Sequence, residues 1–247
     1  MISATSRLAP GDVGVWHARA ADLVADPARE ARALGWLAAE ERARHDRYRA
    51  DADRAMFLVG RVMARALVGC ALETTPTSWT WGEGPHGRPE IAGAVSALSF
   101  NLAHSGGTVA CALRRDGDVG IDVEARDRRA IDARLVDRYC APGEIADIQR
   151  QGPEGWRDQF LRYWTLKEAY LKARGVGIAV TLADLSFQLQ PEPVRLTCLN
   201  SLAGESTEWA FTLTELPDRV FLAAAASIAG PTPPRFVVDA FPRELWP

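Results

Sequence analysis

The stretch VGIDVE (119–124) decides the fold prediction, because apolar residues alternate along it with Gly120, Asp122 and Glu124. A two-residue period is typical of a β-strand that is buried on one face. We therefore expect a strand that presents both carboxylates on the same face. An Asp-x-Glu pair on a strand is most often a solvated face, so its neighbours must decide its meaning.

The second informative stretch is WTLKEAYLKARG (164–175). Trp164, Glu168 and Lys172 recur every four residues in a run without Pro, and Gly175 follows. This spacing predicts a helix that carries the three side chains along one side and ends at the glycine. A Glu and a Lys at this spacing are also the commonest exposed pair on a helix surface.

The strand and the helix together offer three carboxylates, from Asp122, Glu124 and Glu168, and one cation, from Lys172. Carboxylate oxygens are the hard ligands that Mg²⁺ prefers, and Mg²⁺ usually keeps other positions for water and substrate phosphates. The lysine would balance phosphate charge. The two stretches therefore predict a magnesium and pyrophosphate site.

Three motifs follow one another along the chain: FNLAHS (100–105), GIDVE (120–124) and WTLKEAYLKARG (164–175). In wording and order they resemble the motifs of the Sfp-type 4′-phosphopantetheinyl transferases. The pattern of that family runs Phe-Asn-x-Ser-His-Ser, then Gly-Ile/Val-Asp-Ile/Val-Glu, then Trp-Ser/Thr-x-Lys-Glu-Ala/Ser-x-x-Lys-x-x-Gly. The similarity extends from about residue 40 to about residue 228 and covers most of the chain.

The resemblance implies an α+β fold of two similar α/β subdomains related by a pseudo-twofold, with the active site in the cleft between them. We assign residues 1–118 to an N-terminal subdomain that binds coenzyme A. Residues 119–230 form the C-terminal subdomain with the metal and catalytic residues, and residues 231–247 form a Pro-rich tail.

Local patterns fill in this outline. Helical signals run over 29–49, over 53–69 and from about 128 to 174. A strand is predicted at 13–17, and alternating segments between 184 and 227 predict mostly antiparallel strands.

The resemblance also implies a reaction, the transfer of 4′-phosphopantetheine from coenzyme A to a serine hydroxyl of an apo acyl, peptidyl or aryl carrier protein. Adenosine 3′,5′-bisphosphate is released. Position by position, Asp122, Glu124 and Glu168 match the Mg²⁺ ligands of the family, and Lys172 matches its phosphate-binding lysine. Glu168 is the first candidate for the catalytic base, while Glu144 matches another acidic position and is a second candidate that would reach the metal or its water.

Coenzyme A carries a 3′-phosphate besides its pyrophosphate, and the family binds it with basic residues of the first subdomain. Arg44, Arg88 and His104 match such positions, whereas Arg61 is either a further contact or a surface charge. Ala103 replaces the serine that the family usually has beside the histidine, which removes one hydroxyl contact to phosphate.

The segment 125–140 is a candidate docking surface for the carrier protein. Carrier proteins tend to be acidic around the modified serine, and opposite charges accelerate encounter. A solvated helix is the alternative. The residues proposed for docking are Arg126, Arg128, Arg129, Arg134 and Arg138, with Leu135 or Val136 as apolar partners.

The net charge and the cysteine spacing exclude some classes of function. A net charge of −3 argues against bulk nucleic-acid binding, and four widely spaced cysteines without a CxxC pair argue against zinc. We found neither a secretion signal nor a membrane-spanning run, so we expect a cytoplasmic protein, which the two-subdomain build suggests is a monomer. The alternatives are a Mg²⁺-dependent pyrophosphohydrolase of a coenzyme A-like or nucleotide substrate and a noncatalytic carrier-binding module.

Overall fold

The computed structural model of the protein describes residues 11–84, 89–92, 98–127, 131–176, 180–202, 208–217 and 219–247. The strands in these residues are β1 (Val13–Arg19), β2 (Trp81–Glu83), β3 (Pro89–Ile91), β4 (Leu98–Ser105), β5 (Thr108–Arg115), β6 (Val119–Ala125), β7 (Leu185–Gln188), β8 (Arg195–Cys198), β9 (Trp209–Leu216), β10 (Val220–Ser227) and β11 (Phe236–Ala240). The α-helices are α1 (Ala20–Leu23), α2 (Pro27–Leu34), α3 (Ala39–Asp46), α4 (Asp51–Leu72), α5 (Arg134–Tyr139), α6 (Pro142–Arg150) and α7 (Gly152–Arg174).

Two larger sheets form the centre of the protein. The first has the strand order β11-β1-β5-β4 and the second the order β6-β10-β9. All pairs are antiparallel except β1 with β11, which run parallel. Two short hairpins, β2-β3 and β7-β8, lie beside the sheets.

The same order of elements occurs twice along the chain. Each half has a first strand (β1 or β6), short helices, a long helix (α4 or α7), a short hairpin and two antiparallel strands. In each sheet the last of these strands, β5 or β10, lies between the other two. This arrangement is an α+β fold of two similar halves, as the sequence predicts.

The halves pack in four layers, with the sheets inside and the long helices outside. Alternate strand residues such as Val15, Ile121 and Leu222 form a core made only of residues from the two sheets. Residues on the opposite faces pack against α4 in one half and against α7 in the other. Because successive strand residues point to opposite faces, the alternation in VGIDVE places its carboxylates on the α7 side.

A glycine brings α7 close to β6. A Cβ atom at Gly120 would lie far inside the contact distance of the Ala169 carbonyl oxygen and the Ala173 nitrogen. The helix backbone therefore rests directly on the strand, which places the side chains of α7 within reach of those on β6.

The prediction that residues 231–247 form a separate tail is wrong, because this segment packs against the first half. Residues 236–240 form β11, which pairs with β1, and Phe241 and Trp246 are buried in the core around α4. Arg29 donates to the carbonyl oxygens of Arg243 and Trp246, both at 2.8 Å. The segment returns to the first half because β1 would otherwise leave a row of backbone groups unpaired.

The helical segments are more divided than predicted. The predicted helix 29–49 is two helices, because α2 ends at Leu34 before Gly35 and α3 begins at Ala39. The stretch from 128 to 174 contains three helices, with Pro142 in the first turn of the second. Helix α4 is long and apolar enough to cross a membrane, but 72% of its apolar window is buried inside the protein, as in a core helix.

Candidate active site

The carboxylates of β6 meet the polar side of α7. Lys172 Nζ donates to Asp122 Oδ1 at 2.6 Å, and Trp164 Nε1 donates to Glu124 Oε1 at 2.9 Å. Glu168 lies on α7 one turn from each of these two residues, and its charge acts on Asp122. The structure thus brings together the four residues that the two motifs predict, Asp122, Glu124, Glu168 and Lys172.

The surroundings of Asp122 disfavour the charged form of its carboxyl group. Burial raises the pKa of its carboxyl group to about 7, against the opposing charge of Lys172, and the charges of Glu124 and Glu168 raise it further. Its second oxygen, Oδ2, is buried and has no hydrogen-bond partner among the described residues. A buried carboxylate with an unpaired oxygen and acidic neighbours is typical of a site that binds a cation.

The next question is whether the side chains of this group can supply the ligands of a metal ion. Within the described parts of the chain, no three His, Cys, Asp or Glu side chains are assembled closely enough to form a complete metal cluster. The free oxygen of Asp122 and the nearby Glu124 and Glu168 nevertheless supply the oxygen ligands that a hard cation prefers. Carboxylates are the kind of ligand that Mg²⁺ takes from proteins, and this ion commonly takes its other ligands from water and substrate.

Two polar residues of β4, which sequence reasoning did not single out, join the first sheet to β6. Asn101 Oδ1 accepts from the Ile121 backbone N–H at 3.1 Å, and Ser105 Oγ accepts from the Ala125 N–H at 3.2 Å. Ser105 also donates to Glu124 Oε2 at 3.3 Å. Both residues belong to the FNLAHS motif, so the motif itself was the available signal.

A cavity of about 260 Å³ opens on the first half beside this group. It lies between α3, α4, β2 and β4, and its polar and aromatic lining includes Arg44, Tyr48, Phe57, Arg61, Trp81 and His104. The charge of Lys172 is felt by His104, which lowers the pKa of the imidazole together with the larger effect of burial. The cavity is therefore adjacent to the carboxylate group, and its imidazole is neutral at neutral pH.

Arg61 is held firmly in the wall of this cavity. Its guanidinium carbon lies 4.1 Å from the centroid of the Trp81 ring and 5.2 Å from that of Phe57. Its Nε lies 3.5 Å from Glu41 Oε1. The side chain is only 17% exposed, so Arg61 is not the solvated surface charge that the sequence left open.

The other residues predicted to contact coenzyme A lie in different places. Arg44 lines the cavity, with its guanidinium carbon 5.5 Å from the Phe57 ring centroid, and His104 lines it from β4. Arg88 lies outside the described residues. Ala103 is 4% exposed and belongs to the core between the sheets, on the strand face opposite to His104.

Glu144 does not take part in the carboxylate group, which corrects its expected role as a catalytic or metal-contacting residue. Its Oε1 accepts from the Phe187 backbone N–H at 2.8 Å, and its Oε2 accepts from the Ala141 N–H at 2.8 Å. Lys167 Nζ lies 2.6 Å from Oε2. Lys167 precedes Glu168 by one residue and therefore points about 100° away from it around α7. The Lys167–Glu144 pair is buried in the core, away from the carboxylates of β6.

Lys167 lies about 100° around α7 from Glu168 and is buried. Besides Glu144, its Nζ donates at 2.8 Å to the backbone carbonyls of Tyr139, Leu182 and Leu185. The lysine therefore ties α5, α6 and the segment before β7 to α7. This role explains a lysine next to Glu168 without assigning it any chemistry.

The candidate docking segment is less basic than its sequence suggests. Arg126 pairs with Asp158 and, at 2.6 Å, with Glu215, and Arg134 pairs with Asp132 at 2.5 Å. Val136 is buried in the core, which removes it as a docking residue. The guanidinium carbon of Arg138 lies 5.2 Å from the Tyr139 ring centroid, and Arg128 and Arg129 lie outside the described residues.

Both halves of the chain match family models of the same kind of enzyme. Residues 118–225 match the family model described as the 4′-phosphopantetheinyl transferase superfamily. Residues 26–115 match the model described as 4′-phosphopantetheinyl transferase, N-terminal. The two matches meet between β5 and β6, where residue 118 also lies.

Individual relatives agree with the family models. The chain is 33% identical over 197 residues to the 4′-phosphopantetheinyl transferase HetI of Nostoc, a match that covers 78% of the chain and 79% of that protein. It is 30% identical over 250 residues to a phosphopantetheinyl transferase of Thraustochytrium, covering 96% of the chain and 84% of that protein. A Synechocystis relative is 33% identical over 144 residues, and the match spans little more than half of it, 58%.

Proposed function

Because the chain belongs to the 4′-phosphopantetheinyl transferase family, we propose that it transfers the 4′-phosphopantetheine group of coenzyme A to a serine hydroxyl of an apo carrier protein. The serine oxygen forms a bond to the phosphorus that bears the pantetheine. The bond from that phosphorus to the oxygen bridging the pyrophosphate breaks, adenosine 3′,5′-bisphosphate leaves, and the serine gives up its proton.

One observation carries the proposal. Asp122, Glu124, Glu168 and Lys172 lie together on β6 and α7, next to a cavity lined by Arg44, Arg61 and His104. The substrate is a long molecule with phosphates in its middle and a nucleotide at one end. A cavity with cationic walls beside a group of carboxylates suits such a molecule, since its nucleotide end would enter the cavity and its pyrophosphate would face the carboxylates.

Asp122, Glu124 and Glu168 would hold a Mg²⁺ ion, and Glu124 would do so with a carboxylate already oriented by Trp164 and Ser105. When bound, the ion supplies positive charge that offsets the negative charge on the pyrophosphate and on the departing bisphosphate. Lys172 supplies a second positive charge from the same side. Removing such a preorganised electrostatic group typically costs on the order of 10²–10³ in rate.

Glu168 is our candidate for the base that accepts the serine proton. It lies on α7 between Trp164 and Lys172, on the polar side of the helix. A positioned carboxylate of this kind typically contributes about 10²–10⁴-fold. Of the two carboxylates that the sequence offers for this role, Glu144 is engaged by Lys167 in the core, so we assign the role to Glu168.

The carrier protein would approach over α5, whose last residue, Tyr139, packs against Trp164 in the middle of α7. Arg138 is the arginine of this segment that we assign to docking, together with the partly buried Leu135, because Arg126 and Arg134 are paired within the chain. Fatty acid, polyketide and nonribosomal peptide carriers all present a serine on a small acidic domain. A panel of such carriers is therefore the appropriate test.

The decisive experiment is intact-mass spectrometry of apo carrier proteins after incubation with the enzyme, coenzyme A and Mg²⁺. We expect a Mg²⁺-dependent gain of one phosphopantetheinyl group on at least one carrier. A Glu168→Gln variant should lose this activity, and Glu154→Gln, an exposed position on the same helix, is the matched control. If coenzyme A is consumed with no gain on any carrier, the protein is a pyrophosphohydrolase and the proposal fails.

A further inference from the structure

Trp164 sits between the carboxylates and the docking segment. Its indole N–H donates to Glu124 Oε1 at 2.9 Å, while Ser105 donates to the other oxygen, Oε2, at 3.3 Å. Glu124 is 7% exposed. Each oxygen of a nearly buried carboxylate therefore has a donor on its own side, which fixes the rotation of the carboxylate plane.

The indole ring is itself held from two sides. The Tyr139 ring packs edge-on against it, with 5.3 Å between centroids and 66° between planes, and the Phe160 ring lies 6.1 Å away. Tyr139 is fixed in turn, because its backbone carbonyl accepts from the buried Lys167 at 2.8 Å. The end of α5 thus determines where the indole N–H points.

We propose that Trp164 is a positioning residue that orients the Glu124 carboxylate for cation binding, with Tyr139 holding the indole in place. The inference rests on the proposed function insofar as Glu124 is taken as a metal ligand. Groups that hydrogen-bond to metal ligands orient them and tune the metal, and their substitution typically lowers metal affinity about 10–100-fold. A tryptophan contributes a single donor on a rigid ring, which suits a fixed direction better than a flexible side chain does.

The proposal makes a prediction about metal affinity that does not depend on turnover. Metal-free protein would be titrated with Mn²⁺, which accepts the same oxygen ligands as Mg²⁺, and the free ion would be followed by electron paramagnetic resonance. Trp164→Phe removes the N–H and keeps an aromatic ring, so we expect the Mn²⁺ dissociation constant to rise about 10–100-fold. Trp156→Phe is the matched control, because it makes the same change on the same helix at a partly buried ring that packs against the core and beside Arg157.

Two further measurements separate positioning from general damage. The melting temperature of Trp164→Phe should match that of Trp156→Phe, and the Mg²⁺ concentration for half-maximal transfer should rise far more than kcat at saturating Mg²⁺ falls. If Trp164→Phe does not fold, Ser105→Ala removes the second donor to Glu124 and should weaken Mn²⁺ binding in the same direction.

The outcomes are distinguishable. Equal Mn²⁺ affinity in Trp164→Phe and Trp156→Phe overturns the positioning role and leaves the proposed function intact. Failure of the unaltered protein to bind Mn²⁺ overturns the metal site of the proposed function and the inference with it. Weaker binding in Trp164→Phe alone supports both.

Discussion

Strand β1 and helix α4 in the first half correspond to strand β6 and helix α7 in the second, and both strands begin with Val-Gly. The helices can be aligned on their ends, because Glu73 and Gly175 both follow the last helical turn with positive φ, at 54° and 63°. Eight residues before these ends lie Arg65 and Lys167, and both are buried.

The aligned cations make the same kind of contact. Arg65 Nη2 lies 2.6 Å from Glu41, which also accepts from the backbone N–H of Ala38 at the start of α3. Lys167 lies 2.6 Å from Glu144, which accepts from the N–H at the start of α6. Each pair therefore joins a short helix to the following long helix. The repetition identifies Glu144 as part of the scaffold, since its counterpart lies in the half without the carboxylate group.

The polar residues of the second half have apolar counterparts in the first. In place of Asp122 and Glu124, strand β1 carries Trp16 and Ala18, which pack against the core around α4. In place of Trp164, Glu168 and Lys172, helix α4 carries Val62, Ala66 and Cys70. One bulky indole, Trp16, thus fills the space that charged groups occupy in the second half.

The cavity, by contrast, is found in the first half, and the aligned region of the second half is closed by a contact between side chains. Arg44 and Arg61 line it in the first half, and the aligned residues in the second are Asp147 and Tyr163. Tyr163 donates to Asp147 Oδ2 at 2.7 Å, so these side chains bind each other. The two halves therefore differ on one scaffold: the first half has the cavity and the second half has the carboxylate group.

The largest effect is expected from changing Asp122. Asp122→Asn removes a charge from the proposed phosphate site, so transfer should fall on the order of 10²–10³-fold, as for loss of one preorganised electrostatic group. The aligned change Trp16→Ala leaves the chemistry in place but empties core volume, which costs about 3–5 kcal/mol of unfolding free energy. Initial rates and urea melts of both variants check this. Equal rate losses after correction for folding would contradict the division between the halves.

The same residue predicts a pH dependence of stability. Burial raises the pKa of Asp122 from 3.8 to about 7, so the folded state holds a proton that the unfolded state has released. The unfolding free energy of the metal-free protein should therefore fall as pH rises from about 4 to about 7. Urea melts at a series of pH values should show a shallower fall in Asp122→Asn. Identical slopes would remove Asp122 as the cause.

The buried ion pairs are expected to stabilise both halves. Lys167→Met leaves Glu144 buried without its cation, and breaking a buried pair in this way typically costs about 3–5 kcal/mol. Arg65→Met should cost less, because Arg61 Nε still lies 3.5 Å from Glu41 Oε1 when Arg65 is removed. The double change Lys167→Met with Glu144→Gln should recover part of the loss. If the single change lowers activity with no loss of stability, Glu144 has a chemical role after all.

The contact between α7 and β6 tests how closely the carboxylates depend on the scaffold. Gly120→Ala forces the helix away from the strand, and overpacking of this kind typically costs about 1–3 kcal/mol. Transfer by the folded protein should also fall, because Lys172 and Trp164 move with the helix. Gly60→Ala in α4 is the control for stability, since its Cβ would meet only Val109 Cγ1 at 3.6 Å.

The smallest effect is expected at the cavity. Arg61→Met removes a cation from its wall and should raise the Michaelis constant for coenzyme A about tenfold, the usual worth of a hydrogen bond to a charged group. Tyr163→Phe, the aligned position in the second half, should leave this constant unchanged and cost about 1 kcal/mol of stability. Steady-state kinetics with varied coenzyme A distinguish the two. Equal effects would contradict this difference between the halves.

Sequence reasoning succeeded where a local period carries the information. The two-residue alternation of Asp122 and Glu124 and the four-residue spacing of Glu168 and Lys172 suffice to place each pair on one face. The meeting of strand and helix required the family resemblance as well. Gly120 shows why, because its importance lies in a backbone contact that no local pattern expresses.

Sequence reasoning failed where the structure depends on contacts between residues that are far apart in the chain. Glu144 looked available for chemistry because Lys167, which engages it, lies more than twenty residues further along the chain. Strand β11 was missed because the prolines around it suggest a loop, and its partner β1 lies at the other end of the described chain. The pairing of Arg126 and Arg134 with acidic side chains likewise changed the charge of a surface that the sequence showed as basic.

The position of β11 has a consequence for the order in which the protein is made. Strands β1, β4 and β5 leave the ribosome more than a hundred residues before β11, which completes their sheet. Until then the outer edge of β1 exposes backbone groups that a strand from another chain can bind. The half that is synthesised first is thus the last to be finished, because its sheet lacks β11 until residues 236–240 have been made.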